Sequence, residues 1–273
     1  MKIVYLILAS NDQIHQRDAD YQHLTWARNR NSNTSVIWLR GGGEFKFWND
    51  TLQVPIEEAY ANILEKTVLG IRWLTENEEF DYLIRTNVST YFDQSAVEKV
   101  LGRLEPGQKY AGGYYEYAKN VYLGSLPENR FISGTGIFMS KKTCELLSHM
   151  PTDNYTNIPD DVAITNFLSS KDCNFFYVPR GNLGYTHFFT PKAFIRLKSS
   201  RDSFAASNRF LLVHAYFIAS NWKSRIRALI NLYSYEISLS KKDLSGFLDF
   251  SMRLFGAAKS GCRNLRYGIS NER

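Results

Sequence analysis

The chain of 273 residues is poor in the features that assign a protein quickly. It has three cysteines, Cys144, Cys173 and Cys262, with neither metal-site spacing nor a disulfide pattern. That argues against a zinc module or a disulfide scaffold and fits a reducing compartment. No apolar run is long enough to span a bilayer. The apolar opening, Ile3 to Leu8, runs straight into Ser-Asn-Asp-Gln without a clear cleavage site, so it reads as a first strand rather than a leader. Internal repeats and low-complexity segments are lacking, and the run Gly41-Gly42-Gly43 lacks the spacing of a phosphate loop. A flexible loop is the reading for those glycines. No nucleic-acid recognition motif accompanies the chain's basic charge, which argues against a nucleic-acid partner.

What is present supports a large core. Hydrophobic residues make up 44% and aromatics 15% of the chain, which excludes global disorder. The net charge of +6 is uneven. Residues 201–273 carry 12 Lys and Arg against 5 Asp and Glu, whereas the first 200 carry 21 against 22. The basic surplus belongs to the tail and points to an anionic partner there.

Period and punctuation place the elements. Ile3 to Ala9 is a near-continuous apolar strand of the kind buried on both faces of a parallel sheet. Gln16 to Arg30 is expected to be helical, Val36 to Leu39 a second strand. From Pro55 or Ile56 to about Glu76, apolar residues Tyr60, Ile63, Leu64, Val68, Ile71 and Leu74 recur at helical spacing. Tyr82, Leu83 and Ile84 form a strand that stops in the polar cluster Thr86-Asn87-Val88-Ser89, and Asp93 is placed to cap the next helix, Gln94 to about Leu104. Tyr110 to Tyr122 is an aromatic strand or rim. Phe131 to Ser140 is a strand interrupted by Gly134-Thr135-Gly136, where a bulge or a close approach of backbone to a ligand is expected. Lys141 to Met150 and Pro159 to Leu168 are helices, Phe175 to Val178 a strand, and Gly181 to Pro191 a loop carrying His187. The alternation argues for one α/β domain over residues 1–200. Residues 201–273 read as a basic helical C-terminal extension, with Trp222, Ile226, Leu229, Ile230 and Tyr233 on one helical face.

The order of these pieces resembles the β-1,3-glycosyltransferases of the galactosyltransferase and Fringe type, glycosyltransferase family 31. The opening strand with Thr25-Trp26, the helix Glu58-Ala59-Tyr60-Ala61-Asn62-Ile63-Leu64-Glu65-Lys66-Thr67, and the strand end at Tyr82 to Asp93 carry the likeness. So do Ser133-Gly134-Thr135-Gly136 to Ser140, Pro159-Asp160-Asp161-Val162 and Thr186-His187-Phe188, over roughly the first 190 residues. The resemblance implies a GT-A fold, a mostly parallel central sheet flanked by helices. It implies an inverting hexosyltransferase that uses a nucleotide sugar, UDP-linked by expectation, and a glycan or lipid-linked saccharide as acceptor.

The same resemblance assigns roles. Asp161 is the expected general base, since the attacking hydroxyl must lose its proton; Asp160 is expected mainly to cap the helix start. Donor contacts are expected from Ser10, Asn11 and Asp12 after the first strand, and from Asn62, Lys66, Arg85, Asn87, Ser89, Gly134, Gly136 and His187. Packing or solvated roles are open for Asn62 and Lys66, a plain bulge for the glycines. Tyr114, Tyr115 and Tyr117 are candidates to stack on a sugar or to fill core. The family's acidic metal motif falls on Asn87-Val88-Ser89, which offers no formal charge to a hard cation. Mn2+ or Mg2+ is therefore in doubt, with His187 the one remaining metal-ligand candidate. Lys192, Arg196 and Lys198 are candidates to neutralise the diphosphate instead. The basic tail fits an anionic membrane surface, or equally a helical pair packed on the domain with a soluble basic face. Together these features suggest a cytoplasmic enzyme, peripheral at the inner membrane face, in surface polysaccharide synthesis. A catalytically inactive nucleotide-sugar or glycan binder and a membrane-surface scaffold are the competing classes.

Overall fold

Among the described residues the strands, in chain order, are β1 (Ile3–Leu8), β2 (Thr34–Gly41), β3 (Lys46–Trp48), β4 (Thr51–Val54), β5 (Tyr82–Asn87), β6 (Thr90–Phe92), β7 (Tyr110–Tyr117), β8 (Arg130–Ser140), β9 (Asn174–Tyr177), β10 (Arg180–Asn182) and β11 (Phe194–Arg196). The helices are α1 (Gln13–Leu24), α2 (Ile63–Asn77), α3 (Gln94–Leu101), α4 (Lys141–Leu147) and α5 (Asp160–Ser169). The structure is a computed structural model and describes residues 1–28, 30–117, 130–156, 158–182, 193–197 and 213–214. The chain divides into two compact units, Met1–Leu211 and Leu212–Arg273. His187, Lys192, Lys198 and, apart from Val213 and His214, the basic extension 201–273 lie outside the described residues.

β1 is buried at every position and sits at the centre because its six apolar residues need cover on both faces. It pairs in parallel with β2 on one side and β5 on the other. The large sheet runs β3-β4-β2-β1-β5-β8-β7-β9, parallel from β4 through β5, with β8 antiparallel to both β5 and β7. A small sheet, β10-β11-β6, lies beside it. Side chains alternate between two cores, as the period of a strand requires. Val4, Leu6 and Leu83 join Leu64, Val68, Ile71 and Leu74 of α2 in one buried cluster that includes residues of α4 and α5. Each fully buried side chain of that stripe contributes about 1.5–3 kcal/mol. The alternate residue Tyr5 packs in an aromatic cluster, with its ring 5.1 Å from Trp26 and 5.0 Å from Phe92, which stacks on Phe194 at 5.5 Å. This is a mixed α/β fold with a large central sheet of mostly parallel strands flanked by helices, consistent with the GT-A-like fold the sequence resembles.

Several boundaries differ from the expectations. The first helix is Gln13–Leu24, not Gln16 to Arg30, because Asp12 accepts the N–H groups of Ile14 and His15, both at 2.9 Å, and starts it earlier. The helix expected from Pro55 begins only at Ile63, after a 3-10 turn at Tyr60–Asn62. Ala59 is extended, with φ −139° and ψ 151°, and tertiary bonds to Glu58 hold that segment out of the helix. The hairpin β3–β4 was not expected. Its turn is Asn49-Asp50, with φ of 43° and 60°, a two-residue hairpin turn that needs two residues tolerant of positive φ. Gly41 ends β2 rather than opening a loop. Asp93 caps α3 as expected, accepting the N–H of Ala96 at 3.2 Å. No helix among the described residues is long and apolar enough to cross a membrane.

Candidate active site

The parallel strands β1 and β5 end together, with Leu8 opposite Asn87. β8 runs the other way, so its early residues Ser133 to Thr135 come to the same edge. The crevice outside the carboxyl ends of an open sheet is where such folds bind ligands.

At the end of β5, Asn87 closes a polar turn. Its Oδ1 accepts the Ser89 N–H at 3.3 Å and the hydroxyls of Ser89 and Thr90, both at 3.0 Å. The buried side chain of Gln22 clamps the turn from α1, donating to the carbonyls of Asn87 at 3.2 Å and Thr90 at 3.1 Å. At the end of β1, Ser10 bonds the Asp12 carboxylate and lies 2.7 Å from His15 Nδ1. Burial alone would raise the Asp12 carboxyl, but the bonds from Ser10, His15 and Ile14 and the His15 charge hold it below the usual range. Asn11 is exposed between them. Lys66 is buried; its Nζ donates to the Ala9 carbonyl at 2.9 Å and to Glu58 Oε2 at 2.7 Å. Glu58 Oε1 accepts the Gly41 N–H at 2.5 Å. This pair therefore ties the ends of β1 and β2 to α2. Asn62 stands at the start of α2 and donates to the Glu57 carbonyl at 3.1 Å.

The central constellation joins β5, β8 and α5. Arg85 is buried, donates through Nη1 to the Gly134 carbonyl at 2.6 Å, and pairs through Nη2 with Asp160. Asp161 accepts the Gly134 N–H on Oδ2 at 2.9 Å and the Val162 N–H on Oδ1 at 3.0 Å. Helix-end bonding thus falls to Asp161 and an ion pair to Asp160, whereas helix capping was expected mainly of Asp160. The reason is Arg85, which faces Asp160 from the neighbouring strand. Burial raises the Asp161 carboxyl above the usual range, and the Asp160 charge adds to it; the Gly134 N–H, Arg85 and the Val162 N–H oppose the rise. A half-buried carboxylate tuned upward, in the first turn of α5 beside the sheet edge, has the properties of a general base. Glycine at 134 leaves room for this network: a Cβ would stand 2.5 Å from Arg85 Nη1 and 3.2 Å from Asp161 Oδ2, so the guanidinium would have to shift. A Cβ on Gly136 would instead press on Phe194 at 3.1 Å, so core packing already accounts for that glycine.

A second buried group escaped the sequence reading. Arg180 donates through Nη1 to Glu116 Oε1 at 2.6 Å, Ser133 Oγ at 2.9 Å and Thr135 Oγ1 at 3.0 Å. It also lies over the Tyr114 ring at 4.2 Å. Arg196 Nη1 is 3.9 Å from the same Glu116 oxygen. Nothing local marks Arg180 in the sequence; its partners come from two other strands. Tyr114, Tyr115 and Tyr117, with Arg130 and Tyr177, line a pocket of about 360 Å³ at the β7–β9 edge.

The resemblance implies a divalent cation at the end of β5, and the donor set there does not fit one. Asn87 Oδ1 is engaged by three hydrogen bonds within its own turn. Asp160 is paired with Arg85 and Asp161 with two backbone N–H groups. Among the described residues no three His, Cys, Asp or Glu side chains come together.

No protein-family model matches the chain. The chain is similar to UDP-GalNAc:beta-1,3-N-acetylgalactosaminyltransferase 1 of Sus scrofa, at 22% identity over 170 residues, 54% of this chain and 51% of that protein. It spans about half the length of that curated relative, whose name, giving β-1,3 transfer from UDP-GalNAc, agrees in kind with the family the sequence motifs resemble.

Proposed function

We propose that the chain is an inverting glycosyltransferase moving a hexose from a nucleotide sugar, UDP-linked, to a hydroxyl of a glycan or lipid-linked saccharide. The observation that carries this reading is Asp161: its carboxyl is raised by burial and by Asp160, and the Gly134 and Val162 N–H groups fix its position. Asp161 takes the proton of the acceptor hydroxyl as that oxygen attacks the anomeric carbon. The bond from that carbon to the diphosphate breaks, and its electron pair leaves with the phosphate oxygen. Arg85 and Asp160 hold the base in place rather than touching the donor. Ser10, Asn11 and Asp12 lie on the nucleoside side of the edge. Arg196, half-exposed, is the described member of the basic set proposed to offset diphosphate charge with Lys192 and Lys198. The hydrogen-bonded, uncharged Asn87 turn supports reaction without tight metal binding. The relative's UDP-sugar and β-1,3 chemistry supports the donor and reaction class. Work at the cytoplasmic membrane face on a surface polysaccharide rests on the basic composition of residues 201–273.

The test is turnover of a panel of UDP-sugars, with EDTA and then with Mn2+, for the wild type and Asp161→Asn. Turnover in EDTA that disappears in Asp161→Asn is the expected result. Full activity in Asp161→Asn would overturn the assignment of the base. One observation favours a second reading, an inactive nucleotide-sugar or glycan binder: the strand end Asn87-Val88-Ser89, where the resemblance places an acidic motif, offers no carboxylate. Donor binding without turnover across the whole panel would select it.

A further inference from the structure

The pocket at the β7–β9 edge has no part in the proton transfer. Its lining is unusual: Tyr114, Tyr115, Tyr117 and Tyr177, with Arg130, around about 360 Å³. That volume lies in the range of small-ligand sites. Tyr117 and Tyr177 remain 61% and 54% exposed. A concave pocket of this size lined by partly exposed aromatic rings points to a ligand. The rings are fixed rather than loose. Tyr177 lies 6.0 Å from Tyr114 and 5.7 Å from Tyr115, Arg130 stands over Tyr117 at 5.2 Å, and Arg180 over Tyr114 at 4.2 Å.

We infer that this pocket is the acceptor-sugar site, taking one pyranose ring against Tyr177 and Tyr117. The inference rests on the transferase reading and adds where the acceptor sits. Chemistry and position both support it. A pyranose has an apolar face of C–H bonds and a rim of hydroxyls. Tyrosine offers an electron-rich face to the first and a phenol to the second. Burial raises the Tyr115 and Tyr177 phenols, so both keep their protons and can donate at neutral pH. A nucleobase also stacks on aromatics, but the nucleoside side of the edge is at β1. In the sheet order β1-β5-β8-β7, the pocket strand is three spacings from β1, about 14 Å. The base, in contrast, is close. Tyr115 pairs with Ile132 across one strand spacing of about 4.8 Å, and Ile132 lies about 7 Å along β8 from Gly134, whose N–H holds Asp161. The Thr165 hydroxyl joins the same places, accepting the Ile132 N–H at 3.0 Å and donating to the Asp161 carbonyl at 2.8 Å. A sugar in the pocket can present a hydroxyl toward Asp161 while the donor approaches from the β1 side.

The experiment is saturation-transfer NMR on the full chain with lactose, N-acetyllactosamine and chitobiose as probes, followed by UDP. It uses the wild type, Tyr177→Ala, Tyr177→Phe, Tyr117→Ala and the control Phe45→Ala, an exposed aromatic beside β3 on the opposite edge of the sheet. The expected result is binding of at least one disaccharide, weakened roughly tenfold by loss of either ring, as for unburying part of an aromatic side chain. Tyr177→Phe retains most of the binding, and Phe45→Ala leaves it unchanged. Disaccharide binding that is equal in all variants would overturn the inference, as would absence of binding by every probe or UDP binding lost with Tyr177. UDP binding without disaccharide binding would sink the pocket and leave the transferase reading standing. Tyr177-dependent disaccharide binding without UDP binding would keep the pocket and sink the transferase.

Discussion

Replacing Arg85 with methionine tests both the architecture of the site and the role of its base. The Arg85–Asp160 pair is sealed, with side chains 4% and 15% exposed. Removing the cation leaves the Asp160 carboxylate nearly buried and uncompensated, and takes from the Gly134 carbonyl a donor at 2.6 Å. Breaking a buried pair on one side costs about 3–5 kcal/mol. The small opening to water at Asp160 and the apolar methionine stem favour the lower end, about 3 kcal/mol. With a urea m-value of about 2 kcal/mol/M, the unfolding midpoint should fall by about 1.5 M. Arg85→Met with Asp160→Leu removes the stranded charge as well and should recover most of the loss, because an apolar replacement of a buried pair is often neutral. The base reports independently. Arg85 pulls the Asp161 carboxyl down and Asp160 pushes it up. In Arg85→Met the acid limb of the pH–kcat profile should therefore move to higher pH, and in the double variant it should move back. A cost below about 1 kcal/mol for the single change, or a double variant no better than the single, would refute the account of the pair. An acid limb that stays fixed in both would refute Asp161 as the titrating base.

Lys66→Met should lower the melting temperature on the order of 10 °C in a thermal scan, since it strands Glu58 beside the Gly41 N–H and frees the Ala9 carbonyl. Asp161→Asn should change the pH dependence of stability. A carboxyl raised in the folded state binds its proton more tightly there than in the unfolded chain, so the wild type gains on Asp161→Asn as pH falls from 7 toward about 4; parallel urea midpoints at the two pH values would contradict the raised carboxyl. Asn87→Ala should cost about 1–3 kcal/mol in urea unfolding, because the buried Ser89 hydroxyl and N–H lose their acceptor while the Thr90 hydroxyl keeps the Thr135 carbonyl at 3.1 Å; faster hydrogen exchange at the Ser89 N–H should accompany it.

The parts of this fold that periodicity governs were legible. β1 is six apolar residues in a row, α2 repeats its core residues every three or four positions, and Asp93 is an N-cap with a helix behind it. Where long-range partners decide, local reading fails. Glu58 and Lys66 are eight residues apart and pair only because the chain between them is partly extended, which delays the start of α2. Which of the adjacent carboxylates 160 and 161 forms the ion pair is decided by Arg85, 75 residues before Asp160. Arg180 finds Glu116 across 64 residues. The β3–β4 hairpin is a different case, because its Asn-Asp turn between two apolar runs was readable.

These partnerships separate the motifs that build the edge of the sheet from those that work at it. Glu58 and Lys66 both belong to the helix stretch that carries the resemblance, and together they hold the ends of β1 and β2 in place. Arg85 does the same for β8 and α5, and Arg180 for β7 and β8. In each case a buried cation meets one carboxylate of the protein: Lys66 with Glu58, Arg85 with Asp160, Arg180 with Glu116. Their charges are compensated internally and are not free to offset a diphosphate. Arg196 differs among the described residues at this edge. It is 38% exposed, and its 3.9 Å approach to Glu116 shares an oxygen already held by Arg180 at 2.6 Å. A leaving diphosphate that displaced Arg196 from Glu116 would break no close hydrogen bond, whereas drawing on Lys66 or Arg85 would dismantle the edge that positions Asp161. On the proposed reading, stability and turnover are carried by different cations: the buried ones hold the sheet edge beside Asp161, and the half-exposed Arg196 is left to respond to the substrate.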